Sequence, residues 1–211
     1  AVQSVHRVRS RTPLLIMEFP GPDRPNANFQ SQLNSRLLAA RTIVVNKPLT
    51  TTAAGSLTQQ LTLLAAESDE PIRIMMSHVP GGDTEADLSV YDLIRSLDAP
   101  VTILGSGRIA GAGLLAFVGA AAERRVALPH ARFRLEEPTA TEETGRAADL
   151  ERAAAAAADR RERVVALLAT ATGQPAEQVA EDLAAQRTFE AEEAVGYGLI
   201  DRVVQSRRDI E

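Results

Sequence analysis

The stretch that decides the fold runs from Gly105 to Gly113 and reads GSGRIAGAG. It follows the apolar residues 101–104, which predict a strand, and it leads into the apolar run 109–122, which predicts a buried helix. Glycines at a strand-to-helix turn let a ligand approach the backbone closely. The stretch therefore predicts a site, and the candidates are a dinucleotide, an acyl group under attack, or a site that no longer acts.

Strands and helices alternate on both sides of this stretch. Short apolar or β-branched runs predict strands, and apolar residues at helical spacing predict helices. The predicted strands are 42–45, 71–76, 101–104, 125–128, 132–135 and 200–204, and the predicted helices are 53–67, 84–97, 109–122, 145–171, 174–185 and 191–197. This alternation is typical of α/β proteins with parallel βαβ units and right-handed crossovers.

The composition excludes several classes of function. The chain has 211 residues, a formal net charge of -5 and 3% aromatic residues, so a basic nucleic-acid-binding surface is not expected. It contains no cysteine and only three scattered histidines, so we expect no metal site and no cofactor. The longest apolar run is shorter than the about 20 residues that span a bilayer, and a soluble cytoplasmic protein is expected.

A dinucleotide site is the first interpretation of the glycine pattern. Gly105, Gly107 and Ala110 follow a predicted strand with the spacing of the nucleotide-binding fingerprint, in which glycines admit a pyrophosphate. That fingerprint also requires an acidic residue about 20 positions further on, at the end of the next strand. The next predicted strand begins at Arg124 and Arg125 and has no acidic residue at its end, so the interpretation as a dinucleotide site is weak.

Several motifs, in the same order along the chain, resemble those of the ClpP family, the proteolytic subunits of the Clp protease. They are residues 35–38 with 41–44, Pro80-Gly81-Gly82, 90–94, Ala127-Leu128-Pro129, 172–175 and 191–201. The resemblance covers residues 35 to 205 and implies an α/β fold of the ClpP/crotonase type, a ββα superhelix with a long handle helix. Members of that family are serine peptidases.

The resemblance also assigns catalytic positions, and none holds the expected side chain. The family's serine, histidine and aspartate positions fall on Gly111, Glu136 and Gln186. Because a triad needs a hydroxyl nucleophile, an imidazole base and an orienting carboxylate, the chain is expected not to be an enzyme but a non-catalytic pseudo-peptidase. Backbone N–H groups of Gly81 and Ala112 are expected to remain as an oxyanion-like donor pair.

Other residues offer alternatives for chemistry. Ser106 and His78 lie near the glycine stretch, but each is more typical of a structural role. Glu136 and Glu137 are adjacent, and paired glutamates act on acyl thioesters in the related crotonases, so a repurposed acyl-binding protein or hydratase is one alternative. Successive strand residues point to opposite faces, so only one of the two is expected at the site. An active serine peptidase with a rearranged site is another alternative.

The family's assembly predicts partners. Its subunits form heptameric rings that stack in pairs through the handle region, here 136–172, and bind an ATP-dependent unfoldase. Residues 1–34, with a strand predicted over 13–19 and a connector after it, correspond to a segment that lines the axial pore. Residues 35–38 with 41–44 correspond to the family's opening strand, and 35–211 correspond to the family's domain. The family's inter-ring Arg–Asp pair falls on 185–186, an Ala-Gln pair. The resemblance thus predicts a homo- or hetero-oligomeric ring formed with active ClpP paralogues.

Overall fold

One seven-stranded sheet organises the described part of the chain, residues 27–138 and 146–210 of a computed structural model. The strands are β1 (Thr42–Val45), β2 (Ile72–Pro80), β3 (Val101–Ala110), β4 (Arg125–Ala127), β5 (Arg132–Arg134), β6 (Thr188–Glu190) and β7 (Arg202–Val203). The main path is β1-β2-β3-β4-β7, and every neighbouring pair along it is parallel. The predicted α/β fold with a parallel sheet is therefore confirmed.

The helices lie between the strands in the order that the alternation predicts. They are α1 (Ala27–Ala39), α2 (Thr51–Glu67), α3 (Thr84–Ser96), α4 (Ala112–Val118), α5 (Ala147–Thr172), α6 (Ala176–Ala184) and α7 (Ala191–Tyr197). Short 3-10 helices follow at Ala122–Arg124 and Arg207–Ile210. The long helix predicted over 145–171 is thus confirmed, with bounds one or two residues later.

The main hydrophobic cluster joins the sheet to its helices. It includes Ile74 and Ile103 on the strands and Leu61 and Leu114 on the helices, all of them almost completely buried. Burying one side chain of this size contributes about 2 kcal/mol. The residues of α5 that are buried, Val164, Val165 and Leu168, all lie in its C-terminal third, so the alanine-rich part of that helix does not contribute to the core.

Strand β3 is longer than predicted, and this moves the turn. The helix predicted over 109–122 is wrong at its start, because β3 continues to Ala110 and α4 begins at Ala112. The first part of β3 pairs with β4 and the last part with β5, so the strand continues past both glycines. Gly105 pairs with Ala127, whereas Gly107 lies at the irregularity of the β2–β3 register and has a positive φ of 60°. The two glycines therefore form no phosphate loop, and the dinucleotide interpretation is wrong.

The segment before β1 also differs from the prediction. Residues 27–34, predicted as a connector, and 35–38, predicted as part of an opening strand, lie in α1. No glycine or proline follows Pro25 before Pro48, so nothing in that stretch interrupts a helix. The predicted strand over 13–19 lies outside the described residues. By internal contacts the chain divides into Ala1–Arg36 and Leu37–Glu211.

Candidate active site

Two turns lie side by side where β2 and β3 end. Because β2 and β3 are parallel and Pro80 pairs with Ala110, Gly81 and Gly111 follow their strands at the same edge of the sheet. Both glycines have positive φ, 77° at Gly81 and 53° at Gly111. A residue with a side chain is strained in that conformation, and Gly111 forms a tight strand-to-helix turn directly before α4.

The space beside Gly111 is filled by a carboxylate. A Cβ atom built on Gly111 would lie 2.8 Å from Oε2 of Glu136 and 3.3 Å from the Cα of Gly81. A Cβ on Gly113 would lie 2.6 Å from Cγ1 of Val79, so α4 approaches β2 too closely for a side chain there. The structure thus brings three of the predicted site residues, Gly81, Gly111 and Glu136, into direct proximity.

Arg134 connects the other predicted positions. Its Nε lies 3.3 Å from Oε1 of Glu136, and its Nη2 donates a hydrogen bond to Oε1 of Gln186. The Arg134 carbonyl also accepts a hydrogen bond of 3.2 Å from the N–H of Gly111. Gly111, Glu136 and Gln186 therefore belong to one cluster, and Arg134 holds it together. The sequence indicates Arg134 only as part of a strand, because its link to Gln186 depends on the pairing of β5 with β6.

The neighbouring glutamate points elsewhere. Glu137 accepts two hydrogen bonds from Nε of Arg161 on α5, at 2.9 and 3.0 Å. Arg161 also donates to the carbonyl of Ala180, which joins this pair to α6. The prediction that only one of the two glutamates faces the site is confirmed, and that one is Glu136.

The backbone donors at the site are not equivalent. The N–H of Gly81 donates to the carbonyl of Ala110 at 3.0 Å, so a bound carbonyl group has to displace that bond before Gly81 can donate to it. Ala112 is the first residue of α4 and has no intrahelical acceptor, nor any acceptor within residues 27–138 and 146–210. The Ala112 N–H is therefore the available donor of the predicted pair.

An apolar cleft adjoins these turns. Gly111 and Glu136 stand at one side, and the remaining lining is mostly aliphatic. The aliphatic residues come from α4, the loop after β5, α5 and α6, and they are Leu114, Leu115, Leu135, Val164, Leu168 and Leu183. The free volume inside the cleft is about 10 Å³, which is room for about one water molecule, so these residues form a packed apolar wall beside the turns.

The remaining candidates do not converge on the site. His78 is exposed at a bulge near the end of β2, with a positive φ of 56°, and Ser106 lies within β3. Within the described ranges no three histidine or acidic side chains group as metal ligands, and no helix is long and apolar enough to cross a membrane.

Comparisons with known proteins agree with the fold and the motifs. The family model described as Clp protease matches residues 25–207. The ATP-dependent Clp protease proteolytic subunit 3 of Rhizobium etli is 38% identical over 85% of this chain and 91% of its own length. Proteolytic subunit 2 of Pseudomonas aeruginosa is 33% identical over 92% of this chain and 98% of its own. The structure of ClpP1 from Listeria monocytogenes superposes with a TM-score of 0.73 at 28% identity, covering 85% and 99% of the two chains.

These relatives correct one prediction. The expectation that the chain is not an enzyme is wrong, because the similar proteins are named proteolytic subunits and the matching family is an enzyme family. That expectation was drawn from three side chains alone. The site nevertheless holds the Glu136 carboxylate and the Arg134 guanidinium beside a backbone donor, so it does not lack ionisable groups.

Proposed function

The chain belongs to the Clp protease family, and from this premise we propose that it acts as a proteolytic subunit in a ring formed with paralogous subunits. The similarity to proteolytic subunits over 85% or more of the chain supports this proposal. An ATP-dependent unfoldase is the partner that delivers substrate to such a ring. The single observation that carries the local part of the proposal is the Glu136 carboxylate beside the Gly111 turn.

In this proposal the cluster around Arg134 occupies the family's catalytic positions. Gly111 stands at the position of the serine, Glu136 at that of the histidine and Gln186 at that of the aspartate. The tight turn between β3 and α4 supports the first assignment, and the contacts of Arg134 to both other residues support the second and third. The assignment keeps the spatial order of the family's site while changing its side chains.

The site then binds one peptide bond in an extended substrate. The N–H of Ala112 donates to the peptide carbonyl, and the Gly81 N–H joins it when it leaves the carbonyl of Ala110. Glu136 accepts a hydrogen bond from a substrate N–H or from a water molecule.

The position of Glu136 favours a second candidate, hydrolysis at this chain's own site. A carboxylate beside a backbone carbonyl-binding donor can act as a general base on water. The water oxygen bonds to the carbonyl carbon while its proton passes to Glu136. The C–N bond then breaks, and the leaving amine takes that proton from Glu136.

Mixed complexes test both candidates. The chain is co-expressed with its Clp paralogues, and co-elution and the turnover of a fluorogenic peptide are measured. We expect a mixed ring that turns over faster than the separately purified subunits combined. Failure of the chain to co-elute with any paralogue would contradict the ring proposal.

Two neighbouring glutamates provide a matched pair of variants. Glu136→Gln removes the carboxylate at the site, and we expect turnover at this chain's own site to fall at least about a hundredfold, as for loss of a general base. Glu137→Gln, which alters the contact to Arg161, is the control and should stay within about twofold of the parent, as expected for loss of an exposed pair. Equal turnover of mixed rings with Glu136→Gln and with the parent would reject the second candidate and assign hydrolysis to the paralogous sites.

A further inference from the structure

Asp87 is a buried carboxyl group that the proposed mechanism does not use. It lies in the first turns of α3, and its exposed fraction is 0%. Neither Oδ1 nor Oδ2 has a hydrogen-bond partner among the described residues. Burying an ionised carboxylate without a partner is very unfavourable, so the geometry requires this group to be neutral.

The Asp87 side chain packs directly against the backbone beside the candidate site. Its Oδ2 lies 2.9 Å from the point where a Cβ on Gly82 would stand, and the carbonyl oxygen of Leu49 lies 2.8 Å from the same point. Residues 80–83 form what we call the Gly81 turn, which is held to β3 by the bond from Gly81 N–H to Ala110. Movement of the Asp87 side chain in the direction of Gly82 therefore displaces this turn.

Among residues 27–138 and 146–210, the ionisable groups around Asp87 offer it no counter-charge. Asp83 is the nearby charged group, and its carboxylate already accepts hydrogen bonds from the N–H groups of Glu85 and Ala86. Residues 51–66 of α2 and all of α4 carry no ionisable side chain. The cationic groups on neighbouring elements have other contacts or are exposed. Arg160 and Arg163 of α5 bind Glu85, Arg161 binds Glu137, Arg73 of β2 donates to the Ala40 carbonyl, and Lys47 and His78 are exposed.

The electrostatics agree with this geometry. Burial, and to a smaller extent the negative charge of Asp83, raises the pKa of Asp87 to about 8. The carboxyl group is then protonated at neutral pH and ionises under mildly alkaline conditions. Its titration therefore falls in a range where the folded protein can be studied.

We propose that Asp87 is a positioning residue whose protonation holds the Gly81 turn against β3. When Asp87 ionises, it moves towards water and pushes the turn outward, and the bond from Gly81 N–H to Ala110 breaks. The backbone donors beside Gly111 then lose their arrangement. The structural part of this proposal stands without the proposed function, and its consequence for peptide turnover rests on that function.

Hydrogen exchange and carbon-13 NMR test the structural part on the full chain. We expect the Asp87 carboxyl resonance, identified by its absence in Asp87→Asn, to titrate near pH 8. Across that titration, exchange of the Gly81 amide, corrected for intrinsic base catalysis, should rise by about tenfold or more. The rise should be absent in Asp87→Asn and retained in Asp92→Asn, an exposed residue of the same helix. An ordinary carboxyl titration, or equal exchange in the parent and Asp87→Asn, would overturn the proposal.

Peptide turnover by the mixed ring supplies the functional readout. We expect turnover to fall on the alkaline side with the midpoint of the Asp87 titration. Asp83→Asn should move that midpoint to lower pH, and Asp87→Asn should remove the alkaline limb, that is, the fall in turnover at high pH. A ring without turnover counts against the proposed function alone, because the NMR and exchange results do not depend on catalysis. An alkaline limb that is identical in Asp87→Asn and the parent would reject the positioning role.

Discussion

Asp87 and Asp182 are both buried carboxyl groups, yet their surroundings differ completely. Asp182 on α6 is 5% exposed, accepts a 2.8 Å hydrogen bond from the hydroxyl of Tyr197, and lies 3.2 Å from Nη1 of Arg187. Arg187 also stacks 4.5 Å above the ring of Phe189. Asp87 has none of these partners within the part of the chain that the structure describes.

This difference shows that burial and hydrogen-bond partners have separate effects on a carboxyl group. The partners of Asp182 satisfy its carboxylate oxygens and join α6 to α7 and to the residue before β6, so the group contributes to the fold. Burial, with the hydrogen bond to Asp182, also raises the pKa of Tyr197 above its ordinary range, which keeps the hydroxyl a donor. At Asp87 burial is the larger cause of the raised pKa, and the carboxyl group resists ionisation instead of forming an ion pair.

The largest expected effect is a dependence of the free energy of unfolding on pH, caused by Asp87. Asp87 retains a proton in the folded chain that the unfolded chain releases, since its pKa is raised from 3.8 to about 8. Its contribution to stability is therefore present at acidic pH and is lost as pH rises through that window. Relative to Asp87→Asn, the free energy of unfolding of the parent should fall by about 4 kcal/mol between pH 5 and 8.

Urea unfolding at several pH values measures this difference. Asp92→Asn, which changes an exposed carboxylate on the same helix, is the control and should keep the parent's pH dependence. Parallel curves for the parent and Asp87→Asn over the whole range would mean that Asp87 is not a neutral buried acid.

The next effect concerns the partnered acid. Asp182→Ala should lower the free energy of unfolding by about 3 kcal/mol at neutral pH, because it leaves the buried Tyr197 hydroxyl and the Arg187 guanidinium without their acceptor. Asp182→Asn keeps an acceptor for Tyr197 and should lose less. Thermal and urea unfolding measure both, and equal stability of the alanine variant and the parent would contradict the role of these partners.

A smaller effect isolates one of those bonds. Tyr197→Phe removes the hydroxyl but keeps the ring, which lies 4.4 Å from Phe189. Because Arg187 still contacts Asp182, we expect a loss of about 1–2 kcal/mol in urea unfolding. Tyr91→Phe is the matched control for removing a hydroxyl and should cost less. A loss as large as that of Asp182→Ala would show that the tyrosine bond alone sustains the buried acid.

The smallest effect on stability comes from Asp83→Asn. Asparagine is as good an N-cap as aspartate, so the free energy of unfolding at acidic pH should change by less than about 0.5 kcal/mol. The removed charge should nevertheless lower the pKa of Asp87, because Asp83 is one cause of its upward shift. The carbon-13 titration of Asp87 detects this change, and an unmoved midpoint would leave burial as the sole cause.

Much of the fold follows from local patterns. The alternation of apolar runs predicts the parallel order of β1 to β4, and alanine propensity predicts α5 to within two residues. Strand alternation also predicts that only one of Glu136 and Glu137 faces the turn, and the structure shows that it is Glu136. The length of β3 is not predictable in the same way, because the strand continues past Gly105 and Gly107 through the pairing of its flanking residues with β2, β4 and β5.

The sequence by itself determined the family, the strand-to-helix turn at its glycines and the side chains available there. Only the tertiary structure decided that Arg134 links Glu136 to Gln186, and that Asp87 lies against Gly82 with no hydrogen-bond partner among the described residues. The physical reason is the separation along the chain over which each effect acts. Periodicity and turn chemistry act between residues a few positions apart, whereas burial and ion pairing depend on segments that meet only when the chain has folded.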